Sequence, residues 1–199
     1  MKISALIVGV ALSWAVMPAQ AAIILNDTFD TENGGVGQLN YNAFANWAVS
    51  DGTVDLIGNG FYDFFPTSGL YVDLDGTTPN DAGVMSSVVF APGSYTLSFQ
   101  LAGSQRGDVN TVEVALGTFS TSITLASGVG LTDYTFAVTV LSADQLSFQQ
   151  TGVSDNIGLI LDNVTVSDRV VVPEPATIAL FGAGLAGLAL IRRRRKAMA

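Results

Sequence analysis

The chain has 199 residues, no cysteine and no histidine, and a formal net charge of −9 at pH 7. These absences exclude disulfide bonds, zinc sites of the His or Cys type, cysteine nucleophiles and Ser-His-Asp triads. Residues 22–172 also lack lysine, which excludes Schiff-base and Ser-Lys chemistry in that stretch.

Residues 1–21 have the pattern of a signal peptide. Lys2 precedes an apolar run from Ile3 to Met17, and Ala19-Gln20-Ala21 has the A-x-A form of a cleavage site. We expect cleavage after Ala21 and export of the remaining chain. The alternative is an uncleaved membrane anchor, which the short apolar run disfavours.

The segment between the two hydrophobic ends is strongly acidic. Residues 22–172 contain two basic and 16 acidic residues, which gives a net charge of −14. We expect residues 22–169 to form one exported domain, an ectodomain with a hydrophobic core of its own. Its charge argues against binding to nucleic acid or anionic lipid and suits oxygen-ligated divalent cations.

Alternation of apolar and polar residues predicts an all-β ectodomain. Short strands are expected around residues 47–49, 54–57 and 70–74, and further strands around residues 95–101, 112–116, 134–140, 146–148 and 158–166. No stretch has a clear helical period. Several short strands separated by turn residues indicate an antiparallel β-sandwich of the jelly-roll type.

Residues 170–199 predict a linker followed by a membrane-directed tail. Three features follow each other: Pro173-Glu174-Pro175, an apolar helix at about residues 176–191, and the cations Arg192, Arg193, Arg194, Arg195 and Lys196. The apolar run would span ~24 Å, and its flanking arginines can extend to the membrane interface. We therefore expect a single transmembrane helix with the basic cluster (residues 192–196) on the cytoplasmic side.

This tail resembles the PEP-CTERM sorting signal of exported proteins in Gram-negative bacteria. The resemblance implies processing by an exosortase, a membrane-bound cysteine transpeptidase-like enzyme, near the Pro-Glu-Pro element. It implies transient residence in the inner membrane and final delivery to the cell surface or extracellular matrix. It also implies a link to bacteria that produce exopolysaccharide and form biofilms.

The ectodomain is similar to galactose-binding-like jelly-roll modules in three segments, residues 25–30, 91–99 and 161–166. Such modules often bind carbohydrate and often hold one structural calcium ion. Carried over to this chain, the resemblance nominates Asp30 and Asp162 as calcium ligands. The opening segment departs from the usual pattern, because Asp27 replaces glycine and Asp30 replaces glutamate.

Aromatic residues near loops are the candidates for stacking on sugar rings. Trp47, Tyr62 and Tyr71 are nominated, with burial in the core as the alternative, favoured for Trp47. The four rings of residues 61–65 cannot all be buried by alternation, so at least one should be exposed. The segment Asp73-Leu74-Asp75-Gly76 resembles part of a D-x-D-G calcium loop, but it lacks the third acidic position and the distal glutamate of an EF-hand, so we expect a solvated turn.

These features favour a non-enzymatic surface protein that contacts exopolysaccharide or acts in adhesion. A polysaccharide-acting enzyme needs two suitably placed carboxylates, and no local motif marks such a pair. A purely structural matrix component without a discrete ligand is the third hypothesis.

Overall fold

The structure of the protein is a computed structural model that describes residues 21–78, 81–169 and 184–185. The predicted signal peptide up to residue 20, the Pro-Glu-Pro element and the basic cluster lie outside these residues. Of the apolar run, Gly184 and Leu185 are described, and both are helical. The described residues contain no helix that is long and apolar enough to cross a membrane.

The described part of the ectodomain contains eleven strands and one short 3-10 turn, Glu32–Gly35. The strands are β1 (Ile23–Asp27), β2 (Trp47–Ser50), β3 (Asp55–Gly58), β4 (Leu70–Asp73), β5 (Val84–Phe90), β6 (Gly93–Ala102), β7 (Val109–Leu116), β8 (Phe119–Ala126), β9 (Thr132–Val140), β10 (Asp144–Thr151) and β11 (Ile160–Asp168). All of them belong to one compact unit, Ala21–Arg169. The all-β prediction is confirmed.

The strands form two antiparallel sheets. Sheet A has the order β3-β4-β11-β6-β9, with β1 also paired to β11, and sheet B has the order β2-β5-β10-β7-β8. The pairs β7–β8, β6–β9, β5–β10 and β4–β11 alternate between the sheets. This is a long hairpin wrapped around a core, which is the topology of a jelly roll.

The main hydrophobic core fills the space between the sheets. Because side chains alternate along a strand, Leu56, Val72 and Leu161 of sheet A point into this core. Their neighbours point to the opposite, outer face of sheet A, where Ile57, Tyr71, Ala102 and Ile160 form a second apolar cluster. Phe61, Phe64 and Phe65 of the β3–β4 loop cover this second cluster.

Strand β11 changes its neighbour at a β-bulge. Its first residues, Ile160 and Leu161, pair with β4, whereas the part from Val164 to Ser167 pairs with β1. The register with β6 shifts between Asp162 and Thr165, and Asn163 has a φ of 51°. The bulge therefore places Asp162 at the point where β1 ends and β4 begins.

Candidate functional site

A cleft opens on the outer face of sheet A, beside the second apolar cluster. This outer cleft encloses a cavity of about 190 Å³ and is lined by Leu39, Asp55, Ile57, Tyr62, Phe64, Asp73, Thr77, Arg106 and Asn156. It combines aromatic rings with hydrogen-bonding groups, which is the usual composition of a small-ligand site.

Two carboxylates form the floor of the outer cleft. Asp55 and Asp73 are paired residues on β3 and β4, and both side chains are buried. The Asp55 carboxylate accepts hydrogen bonds from the Asn40 amide at 2.6 Å, the Thr77 amide at 3.1 Å and the Thr77 hydroxyl at 2.6 Å. These donors offset its desolvation and hold the loop after β4 over the cleft.

Arg106 is the cation of the outer cleft. Its guanidinium forms an ion pair with Asp73, donates to the Asn156 carbonyl oxygen at 2.6 Å, and lies 5.6 Å from the centre of the Phe64 ring. Burial raises the pKa of Asp73 to about 7, against the opposing effects of Arg106 and the Asp75 amide. The negative charges of Asp55 and Asp75 also raise this pKa.

Asp75 fixes a second loop next to the cleft. It is fully buried and accepts hydrogen bonds from the Ser154 hydroxyl at 2.8 Å and from the amides of Asp155 and Asn156 at 3.0 and 3.1 Å. The expected solvated turn at residues 73–76 is therefore wrong. Its two carboxylates are buried because Arg106 and the β10–β11 loop supply donors that local sequence does not reveal.

Tyr62 forms the exposed rim of the outer cleft. Its side chain is 59% exposed, and it is the one aromatic residue among the large exposed apolar side chains of the described chain. Its φ of 47° lies in the left-handed region that bulky residues rarely adopt. The expectation that at least one ring of residues 61–65 is exposed is confirmed. The Tyr62 ring therefore presents an aromatic surface to solvent at the cleft.

Tyr71 lies beneath the aromatic loop instead of facing solvent. It is fully buried, and its hydroxyl donates to Asp63 at 3.0 Å while it accepts from the amides of Phe64 and Phe65 at 2.6 and 3.0 Å. Burial, with the help of Asp63, raises its pKa to about 12. Tyr71 therefore positions the loop that carries Tyr62, and its nomination as a stacking residue is wrong.

Trp47 is also a core residue. Its ring is 4% exposed and packs 5.8 Å from the centre of the Phe148 ring. Its indole nitrogen donates to Asp27 at 2.9 Å, and the same carboxylate accepts from the Phe29 amide at 2.9 Å. The prediction that Trp47 is buried in the core is therefore confirmed, and its ring has no face available for a sugar. Asp27, which replaces the usual glycine, forms the opening turn with its side chain.

Asp30 and Asp162 lie near each other at the bulge of β11. Asp30 accepts hydrogen bonds from the Leu70 amide and the Thr28 hydroxyl, each at 2.9 Å. Asp162 is 1% exposed, and the donors to its carboxylate are the backbone and side-chain nitrogens of Asn163. Burial raises the pKa of Asp162 to about 7, and the charges of Asp30 and Asp27 raise it further. Across the described residues, no three or more acidic, His or Cys side chains are grouped to hold a metal ion.

Sequence reasoning missed most of the outer cleft. Asp55 and Asn156 carry no local motif, whereas Phe64 and Asp73 lie in segments that the sequence marked only as an aromatic group and a turn. Arg106 did carry a signal, because it and Arg169 are the basic residues of an otherwise acidic segment. The charge of Arg106 is used within the domain, in the ion pair with Asp73.

Comparisons with known proteins identify the tail. Residues 171–195 match the family model described as the PEP-CTERM protein-sorting motif. This match confirms the predicted sorting signal, and it marks the chain as an exported protein that is sorted to the cell surface. No curated protein sequence matches the chain.

Several solved structures are similar in fold. One holds the CBM22-1 and GH10 modules of endo-1,4-beta-D-xylanase 10B from Clostridium thermocellum, complexed with xylohexaose. It has 12% identity and a TM-score of 0.48 over 79% of this chain, which spans 30% of that chain. The K3 cleaved adhesin domain of Lys-gingipain from Porphyromonas gingivalis has 17% identity and a TM-score of 0.47, covering 74% of this chain and 99% of that one. The CBM22-1 xylan-binding domain of a Paenibacillus barcinonensis xylanase has 14% identity and a TM-score of 0.45, covering 76% and 99%.

Proposed function

We propose that residues 22–169 form a non-catalytic carbohydrate-contacting module that binds exopolysaccharide through the outer cleft. The observation that carries this proposal is the exposed Tyr62 ring beside Phe64 and Arg106, above a floor of polar groups. An aromatic ring can cover the apolar face of a sugar, while amide, hydroxyl and guanidinium groups bind its hydroxyls. The ectodomain charge of −14 favours a neutral polysaccharide over an anionic one.

Hydrolysis is the second candidate function, and one observation favours it. Asp55 and Asp73 form a carboxylate pair, and Asp73 has a pKa of about 7, as expected of a general acid. Their burial argues against this role, because they are 5% and 2% exposed and bind Thr77 and Arg106. We therefore assign the pair to the support of the cleft.

Binding is tested with the purified ectodomain and the isolated exopolysaccharide of the producing strain, with a glycan array for other sugars. We expect binding without release of reducing sugar, and we expect Tyr62→Ala to weaken it about tenfold, which corresponds to about 1.4 kcal/mol. The matched control is Val153→Ala, because Val153 is 74% exposed and does not line the outer cleft. Equal binding by wild type and Tyr62→Ala would contradict the assigned site, and absence of both binding and hydrolysis would favour a purely structural matrix protein.

We also propose that Asp30 and Asp162 hold one structural calcium ion. The donor set fits a hard cation, since carboxylate oxygens are preferred calcium ligands and backbone carbonyls or waters can complete the shell. The buried Asp162 carboxylate has no cationic partner among the described residues, and a bound cation would offset the charge of Asp30 as well. In this proposal the ion ties the end of β1 to β11.

From the sorting motif we also propose a sequence of export and processing steps for the protein. An exosortase processes the chain near Pro173-Glu174-Pro175 after transient insertion in the inner membrane of a Gram-negative cell. The processed ectodomain then resides on the surface or in a biofilm matrix. The motif match over residues 171–195 supports this sequence of events.

A further inference from the structure

Strand β8 is an open edge of sheet B. It pairs with β7 on one side and ends the strand order on the other. Its eight residues alternate between partly exposed and exposed, and none is buried. The backbone N–H and C=O groups along the free side of such a strand are available to pair with another chain.

The usual protection of an edge strand is missing from β8. Natural proteins guard long edges with lysine, proline, bulges or a short strand. Strand β8 has no charged residue and no proline, and its pairing with β7 runs without interruption from Phe119 to Ala126. The edge strands β2 and β3 each have four residues, and β9 carries Asp133 and buries Val138 and Val140.

The charge distribution identifies what can pair there. The 19 residues from Val114 to Thr132 contain no charged side chain, although residues 22–172 have a net charge of −14. Two copies of so acidic a domain repel each other unless they meet at a charge-free surface. Strand β8 supplies such an uncharged edge, and the exposed Glu113 lies opposite Ser122 on β7, one strand in from that edge.

Each face of β8 can pack beside the same face of a second β8 strand. Phe119, Ile123 and Leu125 pack against the edge of the core and remain partly exposed. Ser120, Ser122 and Thr124 are exposed on the other face. An antiparallel pair of two β8 strands places apolar beside apolar and hydroxyl beside hydroxyl side chains across a two-fold axis.

We propose that β8 pairs antiparallel with β8 of a second copy of this chain. The pairing joins two five-stranded sheets B into one continuous ten-stranded sheet and covers the apolar residues of the edge. The resulting dimer has two outer clefts, one in each copy. The proposed pairing does not depend on which ligand the outer cleft binds.

The first test is the sedimentation of residues 22–169, a stretch that contains every described strand and both apolar clusters. We expect a concentration-dependent dimer that Ser122→Glu weakens tenfold or more and that Ser50→Glu leaves unchanged. Ser50 is the matched control, because it is exposed on the opposite edge of the same sheet. A monomer up to about 1 mM protein, or a dimer indifferent to Ser122→Glu, would overturn the proposal.

The second test uses the full-length exported chain, which has no cysteine of its own. Oxidation should cross-link Ser122→Cys into a dimer that reducing agent releases, and it should leave Ser50→Cys monomeric. Cross-linking of Ser122→Cys to a different protein would mean that β8 accepts a foreign strand, and this result would refute self-pairing.

Discussion

Asp55 and Asp73 lie directly opposite each other on the antiparallel strands β3 and β4, on the outer face of sheet A. Like charges in this position destabilise a sheet. The conflict is relieved from two sides, because Thr77 and Asn40 donate to Asp55 while Arg106 pairs with Asp73. Arg106, one of the two basic residues of the acidic domain, thus lies in the floor of the outer cleft.

The stability of the ectodomain should fall as the pH rises from about 4 to above 7. The pKa values of Asp73 and Asp162 are raised from 3.8 to about 7 in the folded state, mainly by burial. Between these values the folded state binds more protons than the unfolded state, so this contribution is complete below pH 3.8 and is lost through pH 7. Denaturant titrations at pH 5 and pH 8, with a chelator present, measure the free energy of unfolding, which should be lower at pH 8.

The double variant Asp73→Asn, Asp162→Asn should reduce this pH dependence. Its matched control is Asp144→Asn, which changes an exposed carboxylate on β10. Equal stability of the wild type at pH 5 and pH 8 would show that the two carboxyl groups do not control it.

Tyr71→Phe should destabilise the domain by about 1–3 kcal/mol, because it leaves the amides of Phe64 and Phe65 without their acceptor. It should also weaken polysaccharide binding, since the loop carrying Tyr62 loses its attachment. Thermal unfolding and binding are measured on the same sample. Tyr95→Phe is the control, because it too removes a buried tyrosine hydroxyl, one that donates to Ala91 outside the cleft. Loss of binding in both variants would point to a general effect of stability.

Calcium should raise the melting temperature relative to a chelator. At a calcium concentration 100 times the dissociation constant the expected gain is about 2.7 kcal/mol, or roughly 5–11 °C for a domain of this size. Asp162→Asn and Asp30→Asn should abolish the calcium response, and Asp144→Asn should keep it. An identical melting temperature in both buffers would remove the calcium proposal.

The loop glycine beside this site offers an independent probe. Gly69 has a φ of 78°, and a Cβ there would overlap the Asp30 carboxylate. Gly69→Ala should therefore displace Asp30 and reduce both the stability in chelator and the calcium response. A Gly69→Ala variant that responds to calcium like wild type would separate Asp30 from the ion. Gly60→Ala is the control, with a similar φ of 84° but open space around its Cβ position.

Processing of the tail is tested by intact-mass measurement of the surface protein. The mature form should lack residues 192–199, because processing near Pro173-Glu174-Pro175 removes everything that follows, including residues 192–195 of the matched motif. Replacement of Pro173-Glu174-Pro175 by alanines should leave the full tail in the membrane fraction. Mature surface protein that still carries the basic cluster would contradict exosortase processing.

The sequence by itself determined the sorting motif, the all-β class and the exposure of one aromatic ring near Tyr62. Each of these properties depends on a short stretch of sequence. The sorting signal is a contiguous motif, the strands show a two-residue alternation, and four aromatic residues lie within residues 61–65. Strand β8 was not among the strands predicted from the sequence, although its side chains alternate strictly in exposure, because most of its residues are small or polar.

Tertiary structure alone decided the outer cleft and the burial of Tyr71 and of the residues of the expected turn. Arg106 and Asp73 are 33 residues apart, and Asp75 binds a loop about 80 residues later. Burial of a carboxylate depends on which distant donors the wrapped hairpin brings beside it, and no local pattern encodes that. The sorting motif in the tail indicates the destination of the protein. The pairing of distant strands determines which side chains the ectodomain exposes at that destination.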